Sequence, residues 1–237
     1  MGRVSLSLVM PAFNEAANVE PALRRVLAAL EGATDEFEIL VIDDGSTDAT
    51  AEIAEGVARE DGRVRVLRNG RNLNYGLSLR RGLREARCEW ILHDGMDLPL
   101  APEDLGLFTP WFGECDVIVA RRTDRSAHSP WRKLTSWGNG LLLRLLFAPR
   151  TRDLNFVQFY RRSFAQSVGV ESTSPAFVTP ELILRAERSG LRVREVPVEF
   201  RRRERGRGHF GRLDDIAWTL GDMARLRWRT WLRGWQA

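Results

Sequence analysis

Apolar residues along the first 120 positions follow two alternating rhythms. Short, dense runs recur at Ser5–Met10, Glu38–Ile42, Val64–Leu67, Trp90–His93 and Val117–Ala120. Between them lie stretches with apolar residues three or four apart, as at Val19, Leu23, Val26, Leu27 and Leu30. The dense runs predict buried strands and the spaced ones predict amphipathic helices. The predicted helices are Asn18–Leu30, Ala49–Arg59 and Tyr75–Ala86. Alternating β and α units of this length predict an α/β fold, a mostly parallel sheet with helices on both faces.

The second half is less regular. Arg132–Phe147 predicts a helix with Trp137, Leu141 and Leu145 on one face, and Arg152–Tyr160 reads as extended. Pro180–Ser189 predicts a short helix beginning at an N1 proline and stopped by Gly190. Arg192–Phe200 alternates like a strand, Arg201–Gly211 is an Arg/Gly loop, and Leu213–Trp235 predicts a last helix. No internal repeat and no linker interrupts this order. The expectation is one domain over 1–212, followed by an amphipathic Arg/Trp helix over 213–237.

The polar residues that interrupt the strands carry the chemistry. Pro11-Ala12-Phe13-Asn14-Glu15 follows the first strand, Asp43-Asp44-Gly45-Ser46 the second and Asp94-Gly95-Met96-Asp97 the fourth. A lone D-D-G-S is ordinary turn chemistry, with Asp48 placed to cap the next helix. Three such turns at one edge are different, because parallel sheets bind ligands outside the carboxyl ends of their strands. Carboxylates at such an edge accept hydrogen bonds from a base or a ribose, or hold a divalent cation.

Charge adds a second site. The net charge of +4 is unevenly spread: residues 201–237 hold ten arginines and four acids, an excess of six. Trp218, Trp228, Trp231 and Trp235 alternate there with Arg225, Arg227, Arg229 and Arg233. Arginine with tryptophan on one helix predicts a segment lying on an anionic membrane surface. A dimer contact and a membrane partner subunit are the competing readings. Nucleic acid is not expected as a partner, since no binding motif accompanies the basic tail. The two cysteines, Cys88 and Cys115, predict no disulfide framework or metal spacing, and so a reducing compartment. No signal-peptide pattern opens the chain. No apolar run reaches the ~18 residues of a spanning helix, and the nearest candidate, Leu141–Phe147, contains Arg144. The expected location is cytoplasmic, peripheral at the cytoplasmic membrane face.

The order of these motifs resembles the family 2 inverting glycosyltransferases of the GT-A fold. The likeness is greatest to the polyprenyl-phosphate sugar transferases typified by dolichol-phosphate mannose synthase. It rests on S-L-V-M-P-A-F-N-E-A-A-N-V, E-I-L-V-I-D-D-G-S-T-D-A-T and R-N-L-N-Y-G-L-S-L-R-R-G-L. Later segments that fit are D-V-I-V-A-R-R-T, W-R-K-L-T-S-W-G-N, R-D-L-N-F-V-Q-F-Y-R-R and G-L-R-V-R-E-V-P-V-E-F-R-R-R. The resemblance covers roughly residues 5–210. It implies a nucleoside diphosphate sugar donor and a polyprenyl (dolichyl or undecaprenyl) phosphate acceptor. Asp43 and Asp44 would hold the nucleotide, with Pro11, Phe13 and Glu15 on its other side. Asp97, with Asp94, would hold Mg²⁺ or Mn²⁺. Arg122, Arg132 and Ser136 match the positions that grip the acceptor phosphate.

The sequence departs from the family at the metal motif. The usual D-A-D-L-Q falls on Gly95-Met96-Asp97-Leu98-Pro99, so Asp97 matches the second acid while Gly95 replaces the first. Asp94 is displaced from it by one residue. Two alternatives follow. One is transfer to a glycan or lipid hydroxyl, with Glu181 as a general base. The other is a nucleotide-sugar binding module that has lost turnover. The loop with Arg202, Arg203, Arg205 and His209, which would close over donor or acceptor, is a further candidate for anion contacts, and Gly206, Gly208 and Gly211 would let it move.

Overall fold

The computed structural model describes residues 4–123, 130–199 and 213–235, with 130–134 and 213 by backbone only. The strands are β1 (Ser5–Ala12), β2 (Glu36–Asp43), β3 (Val64–Arg68), β4 (Trp90–His93), β5 (Val117–Arg122), β6 (Gln158–Arg161) and β7 (Val193–Val198). They form one sheet in the order β3-β2-β1-β4-β6-β5-β7. β6 runs antiparallel to β4 and β5, and the other pairings are parallel. The helices are α1 (Val19–Ala33), α2 (Thr50–Glu60), α3 (Tyr75–Glu85), α4 (Pro130–Phe147), α5 (Arg162–Ser167), α6 (Val178–Arg188) and α7 (Leu213–Arg233).

Side-chain alternation sorts the core into two layers. Leu6, Leu8 and Met10 of β1 pack with Val19, Leu23, Val26 and Leu30 of α1. Val9, on the other face, packs with Leu79 and Leu83 of α3 and with Ile183 of α6. The i, i+4, i+7, i+11 spacing of the α1 residues puts all four on one stripe. Each fully buried leucine or valine contributes about 1.5–3 kcal/mol.

The strand order locates the binding edge. From β1 the chain runs outward through β2 and β3, then returns to place β4 on the other side of β1. The crossovers diverge there and leave a crevice between the carboxyl ends of β1 and β4. The Asp94 amide donates to the Val9 carbonyl at 3.1 Å, closing the sheet just below that crevice.

The departures from the predicted elements have local causes. α6 begins at Val178, so Pro180 is its third residue and not its first. A helix tolerates proline there because its first four N–H groups lack intrahelical partners. The predicted extended stretch 152–160 contains only β6 as strand, and α5 is too short to show a helical period. The Arg201–Gly211 loop, with its four anion-contact candidates, lies outside the described residues.

Two buried carboxylates fasten the 171–174 segment. Glu181 of α6 accepts from the amides of Glu171 (3.2 Å) and Ser172 (2.8 Å) and from Arg185 Nε (2.7 Å). Asp222 of α7 accepts from the amides of Thr173 and Ser174, both at 2.8 Å. Trp218 Nε1 adds a bond to Thr173 Oγ1 at 3.0 Å. With Met223 and Leu226 buried, these contacts seat α7 on the domain.

Candidate active site at the carboxyl edge of the sheet

The turns after β1 and β2 are laced together by side-chain to backbone hydrogen bonds. Asn14, at a left-handed φ of 53°, accepts from the Thr47 amide at 2.8 Å, and its own amide donates to Ser46 Oγ at 3.0 Å. The Glu15 amide donates to Thr50 Oγ1 at 2.8 Å. Asp48 accepts from the Thr50 amide at 3.0 Å and the Ala16 amide at 3.2 Å, so it caps α2 and ties in the β1 turn as well. Pro11 is buried at the end of β1, and Phe13 and Glu15 are half-buried beside it. Glu15 also holds Asn18 Nδ2 at 2.6 Å.

Asp43 and Asp44 differ in use. Asp43 ends β2, and its Oδ1 accepts from the Ser46 amide at 3.3 Å. Asp44, 3% exposed, gathers three donors on Oδ1: Asn69 Nδ2 (2.8 Å), Ser78 Oγ (2.8 Å) and the Leu73 amide (2.9 Å). It thereby fixes the segment after β3, a fourth piece of the edge. Gly45 makes that possible. It has φ +72°, and a Cβ there would stand 2.4 Å from the Arg71 backbone that crosses it.

The turn after β4 is tight. The Leu98 amide donates to the Gly95 carbonyl at 3.1 Å, with Leu98 at a left-handed φ of 44°. A Cβ on Gly95 would lie 2.4 Å from Asp97 Oδ1. The Asp97 carboxylate is therefore folded back over the Gly95 Cα, into the space a side chain at 95 would fill. Asp94 is buried, with Oδ1 accepting from the Gly95 amide at 2.8 Å. Burial pushes its carboxyl well above the usual range. The Asp97 charge raises it further, and the Gly95 and Leu100 amides only partly offset this.

These two acids fit a hard divalent cation. A buried carboxylate beside a second one is an anionic pair, and the charge of Asp97 raises the Asp94 carboxyl further. Mg²⁺ and Mn²⁺ bind through one or two carboxylates and complete their shell with water and substrate phosphates. Among the described residues no group of three or more His, Cys, Asp or Glu side chains converges. Asp94 and Asp97 are the acids that the described residues offer at this turn.

Two polar residues at this turn were not singled out by sequence reasoning. His93, the last residue of β4, is buried and stacks on Tyr160, with ring centroids 6.1 Å apart. Burial pushes its pKa down to about 3, so it is neutral at physiological pH. Its Nδ1 lies 3.2 Å from the Tyr75 hydroxyl, at the start of α3. Burial raises the Tyr75 pKa, and the charges of Asp94 and Asp97 raise it further. The signal was a histidine ending an otherwise apolar strand.

The expected acceptor residues lie on the other half. Arg122 ends β5 and is bidentate to the buried Asp153 (2.8 and 2.7 Å), with its guanidinium over the Phe156 ring. Ser136 is exposed on α4, and the Arg132 side chain lies outside the described residues. Glu181 is fully buried, with both oxygens accepting hydrogen bonds.

α4 and α7 flank an apolar groove of about 550 Å³ lined by Leu142, Leu146, Leu220, Met223, Trp228 and Trp231. Trp137 and Leu145 of α4 are 66% and 74% exposed, Trp228 and Trp231 of α7 61% and 66%. Of the four C-terminal tryptophans, Trp235 is packed on Phe147 and Trp218 is bonded to Thr173. Arg225 pairs with Asp222, and Arg229 with Glu171. No helix among the described residues is long and apolar enough to cross a membrane.

Several known proteins are similar to this chain. A glycosyltransferase AglD of Haloferax volcanii is 32% identical over 206 residues, covering 83% of this chain and 33% of the relative. A dodecaprenyl-phosphate galacturonate synthase of Rhizobium johnstonii is 30% identical over 212 residues, covering 88% and 62%. The chain thus spans a third to under two thirds of the length of these relatives. Among solved structures, a glucosyl-3-phosphoglycerate synthase of Mycobacterium tuberculosis, in complex with Mn²⁺, uridine diphosphate and phosphoglyceric acid, superposes with a TM-score of 0.64. It is 25% identical, with 98% of this chain and 78% of that one covered. Residues 7–169 match glycosyl transferase family 2, from β1 through the crevice and across β6. The chain belongs to that family and has the GT-A fold.

Proposed function

We propose that this chain transfers a sugar, with inversion, from a nucleoside diphosphate sugar to a polyprenyl phosphate, working peripherally at the cytoplasmic face of a membrane. The observation that carries the acceptor is the relative that makes a dodecaprenyl-phosphate sugar, aligned over 88% of the chain. The exposed tryptophan and leucine face of α4 and α7, among arginines, supports it. Such a face suits anionic lipid, with a membrane partner subunit as the other candidate.

Asp43, with Pro11, Phe13 and Glu15, lines the nucleotide, and Asp44 holds the neighbouring segment in register while facing the same crevice. Asp94 and Asp97 would hold Mg²⁺ or Mn²⁺ against the donor diphosphate. A cation there supplies Lewis-acid stabilisation of the leaving nucleoside diphosphate. Arg132 and Ser136 would grip the acceptor phosphate through charge-assisted hydrogen bonds, with Arg122, its fork held by Asp153, behind them as a fixed positive charge. An acceptor phosphate oxygen then forms the bond to the anomeric carbon as the bond to the diphosphate breaks on the opposite face.

The acceptor's chemistry explains why no base is assigned. A phosphate monoester has a second pKa of about 6 and attacks as the dianion at pH 7. A hydroxyl acceptor needs a general base. Glu181, the residue proposed for that task, has both oxygens committed within the fold.

The test begins with a thermal-shift screen of UDP, GDP, CDP and dTDP sugars with Mn²⁺. The stabilising donor is then offered undecaprenyl phosphate and undecaprenol. Lipid-linked sugar from the phosphate alone, with nucleoside diphosphate release, is expected. Product from the alcohol alone would sink the phosphate reading.

A further inference from the structure

The start of α3 is held from two sides. On the donor side, Ser78 Oγ donates to Asp44 Oδ1 at 2.8 Å and accepts from Asn69 Nδ2 at 2.7 Å. Asn74 caps the helix by accepting from the amides of Gly76 (2.8 Å) and Leu77 (3.2 Å), while the Leu73 amide is tied to Asp44. On the other side, Gly76 lies against the Thr173 backbone. A Cβ at 76 would stand 2.4 Å from the Thr173 carbonyl oxygen and 2.9 Å from Val178 Cγ2. Glycine serves here for close approach. One turn further on, Arg80 Nη1 donates to the carbonyls of Glu171 (3.3 Å) and Ser172 (3.4 Å).

Thr173 itself takes its place from α7. Residues 171–173 belong to no helix or strand, so their position is set by whatever their polar groups bond to. The amides of Thr173 and Ser174 both end on Asp222 Oδ2 at 2.8 Å, and Trp218 Nε1 reaches Thr173 Oγ1. Asp222 is 2% exposed, and its Oδ1 accepts from Arg225 Nη1 at 2.8 Å. A buried acceptor that gathers two amides and a guanidinium leaves this backbone little freedom.

We propose that Asp222 is a positioning residue for the donor nucleotide. Through Thr173 and Gly76 it fixes the first turn of α3, and with it Ser78, Asp44 and the 69–74 wall of the crevice. Each link is a printed contact between neighbours: Asp222 to the Thr173 amide, the Thr173 carbonyl against Gly76, Ser78 to Asp44. A binding site holds its geometry only as well as the elements behind it. The proposal rests on the donor reading made above, in which Asp43 lines the nucleotide.

The test titrates UDP, GDP, CDP and dTDP, each with Mn²⁺, into the whole chain by calorimetry. The nucleotide that binds wild type is expected to bind about tenfold more weakly to Asp222→Ala and to Gly76→Ala. Gly76→Ala strikes the same contact from the α3 side. Its gain in helix propensity would by itself stabilise the fold, so weaker binding there reports the clash with Thr173. Trp235→Ala is the control. It removes the contact of α7 with Phe147, and is expected to lower the melting midpoint yet keep wild-type nucleotide affinity. In the ligand-free chain the Leu73 and Gly76 amides are expected to exchange hydrogen about tenfold faster in Asp222→Ala than in Trp235→Ala.

Wild-type affinity in a folded Asp222→Ala or Gly76→Ala, with binding lost in Asp43→Ala, would overturn the positioning role and leave the donor reading standing. An equal loss of affinity in Trp235→Ala would overturn it as well, because Asp222 would then act through stability alone. No nucleotide binding by wild type, or wild-type affinity in Asp43→Ala, would remove the donor assignment and this proposal with it.

Discussion

The donor edge and the α4–α7 side are built on opposite plans. At the donor edge almost every polar atom has a protein partner. Asp44, Asp48 and Asn14 each stitch two segments together, so the crevice is assembled before any ligand arrives. On the α4–α7 side the large side chains point outward, and their natural partner is an apolar phase. The contrast suits the two substrates proposed. A nucleotide is small, polar and recognised by preset hydrogen bonds. A polyprenyl chain is long, featureless and held by whatever excludes it from water.

The sharpest way to break this contrast is at Asp97. Asp97→Ala, or chelation of the metal, is expected to lower transfer by about 10²–10³-fold with the melting midpoint unchanged. Full activity in the variant would remove the acidic pair from the mechanism.

The next largest effect belongs to the other side. The double variant Trp228→Glu/Trp231→Glu is expected to lose roughly a hundredfold in partition onto phosphatidylglycerol vesicles. Its thermal shift with donor should be unaltered. Unchanged vesicle binding would take the tryptophan face out of lipid contact, and a lost donor shift would show that the two sides are not separable.

Asp44→Asn sharpens the donor half alone. It turns an anion that collects three donors into a neutral amide, and should cost about 2 kcal/mol in urea unfolding. Donor affinity should fall with it, because the 69–74 segment loosens.

Glu38 supplies the control, since it lies far from the carboxyl edge along β2. It accepts from Ser7 Oγ (2.7 Å), Arg65 Nη1 (2.6 Å) and the Arg87 amide (2.7 Å). Burial pushes its carboxyl up, but the bonds from Ser7, Arg65 and Arg87 outweigh that and leave it below its ordinary value. A depressed folded pKa means stabilisation that is present above the unfolded pKa of about 4.3 and lost as pH falls through the folded one. Glu38→Gln should therefore cost about 1 kcal/mol at pH 7, a difference that closes below about pH 4. Transfer and vesicle binding should not change.

The two halves were also unequally legible in the sequence. The strands and turns of the donor edge are short-range matters. Apolar runs end in carboxylates and glycine, and both features act within a few residues. The mostly parallel sheet follows from alternating β and α units, although the antiparallel β6 and the strand order do not. What local pattern could not supply was the destination of each side chain. Asp44 reads as a free acid until Asn69, Leu73 and Ser78 fold onto it. Arg122 reads as a loose cation until Asp153, 31 positions away, takes both arms of its fork. His93 reads as the last residue of a strand, and its meaning appears only when α3 brings up Tyr75. Trp235 looks equivalent to Trp228 and Trp231, yet it folds inward onto Phe147 while they do not.

Asp222 gives the two plans a mechanical connection. Its buried carboxylate takes the amides of Thr173 and Ser174 from α7, as Glu181 takes those of Glu171 and Ser172 from α6. Pulling α7 away would break both of those bonds and expose Met223 and Leu226 to water. α7 is therefore a keel and not a tether: whatever surface it rests on sets the heading of the whole sheet, and with it the direction in which the crevice opens.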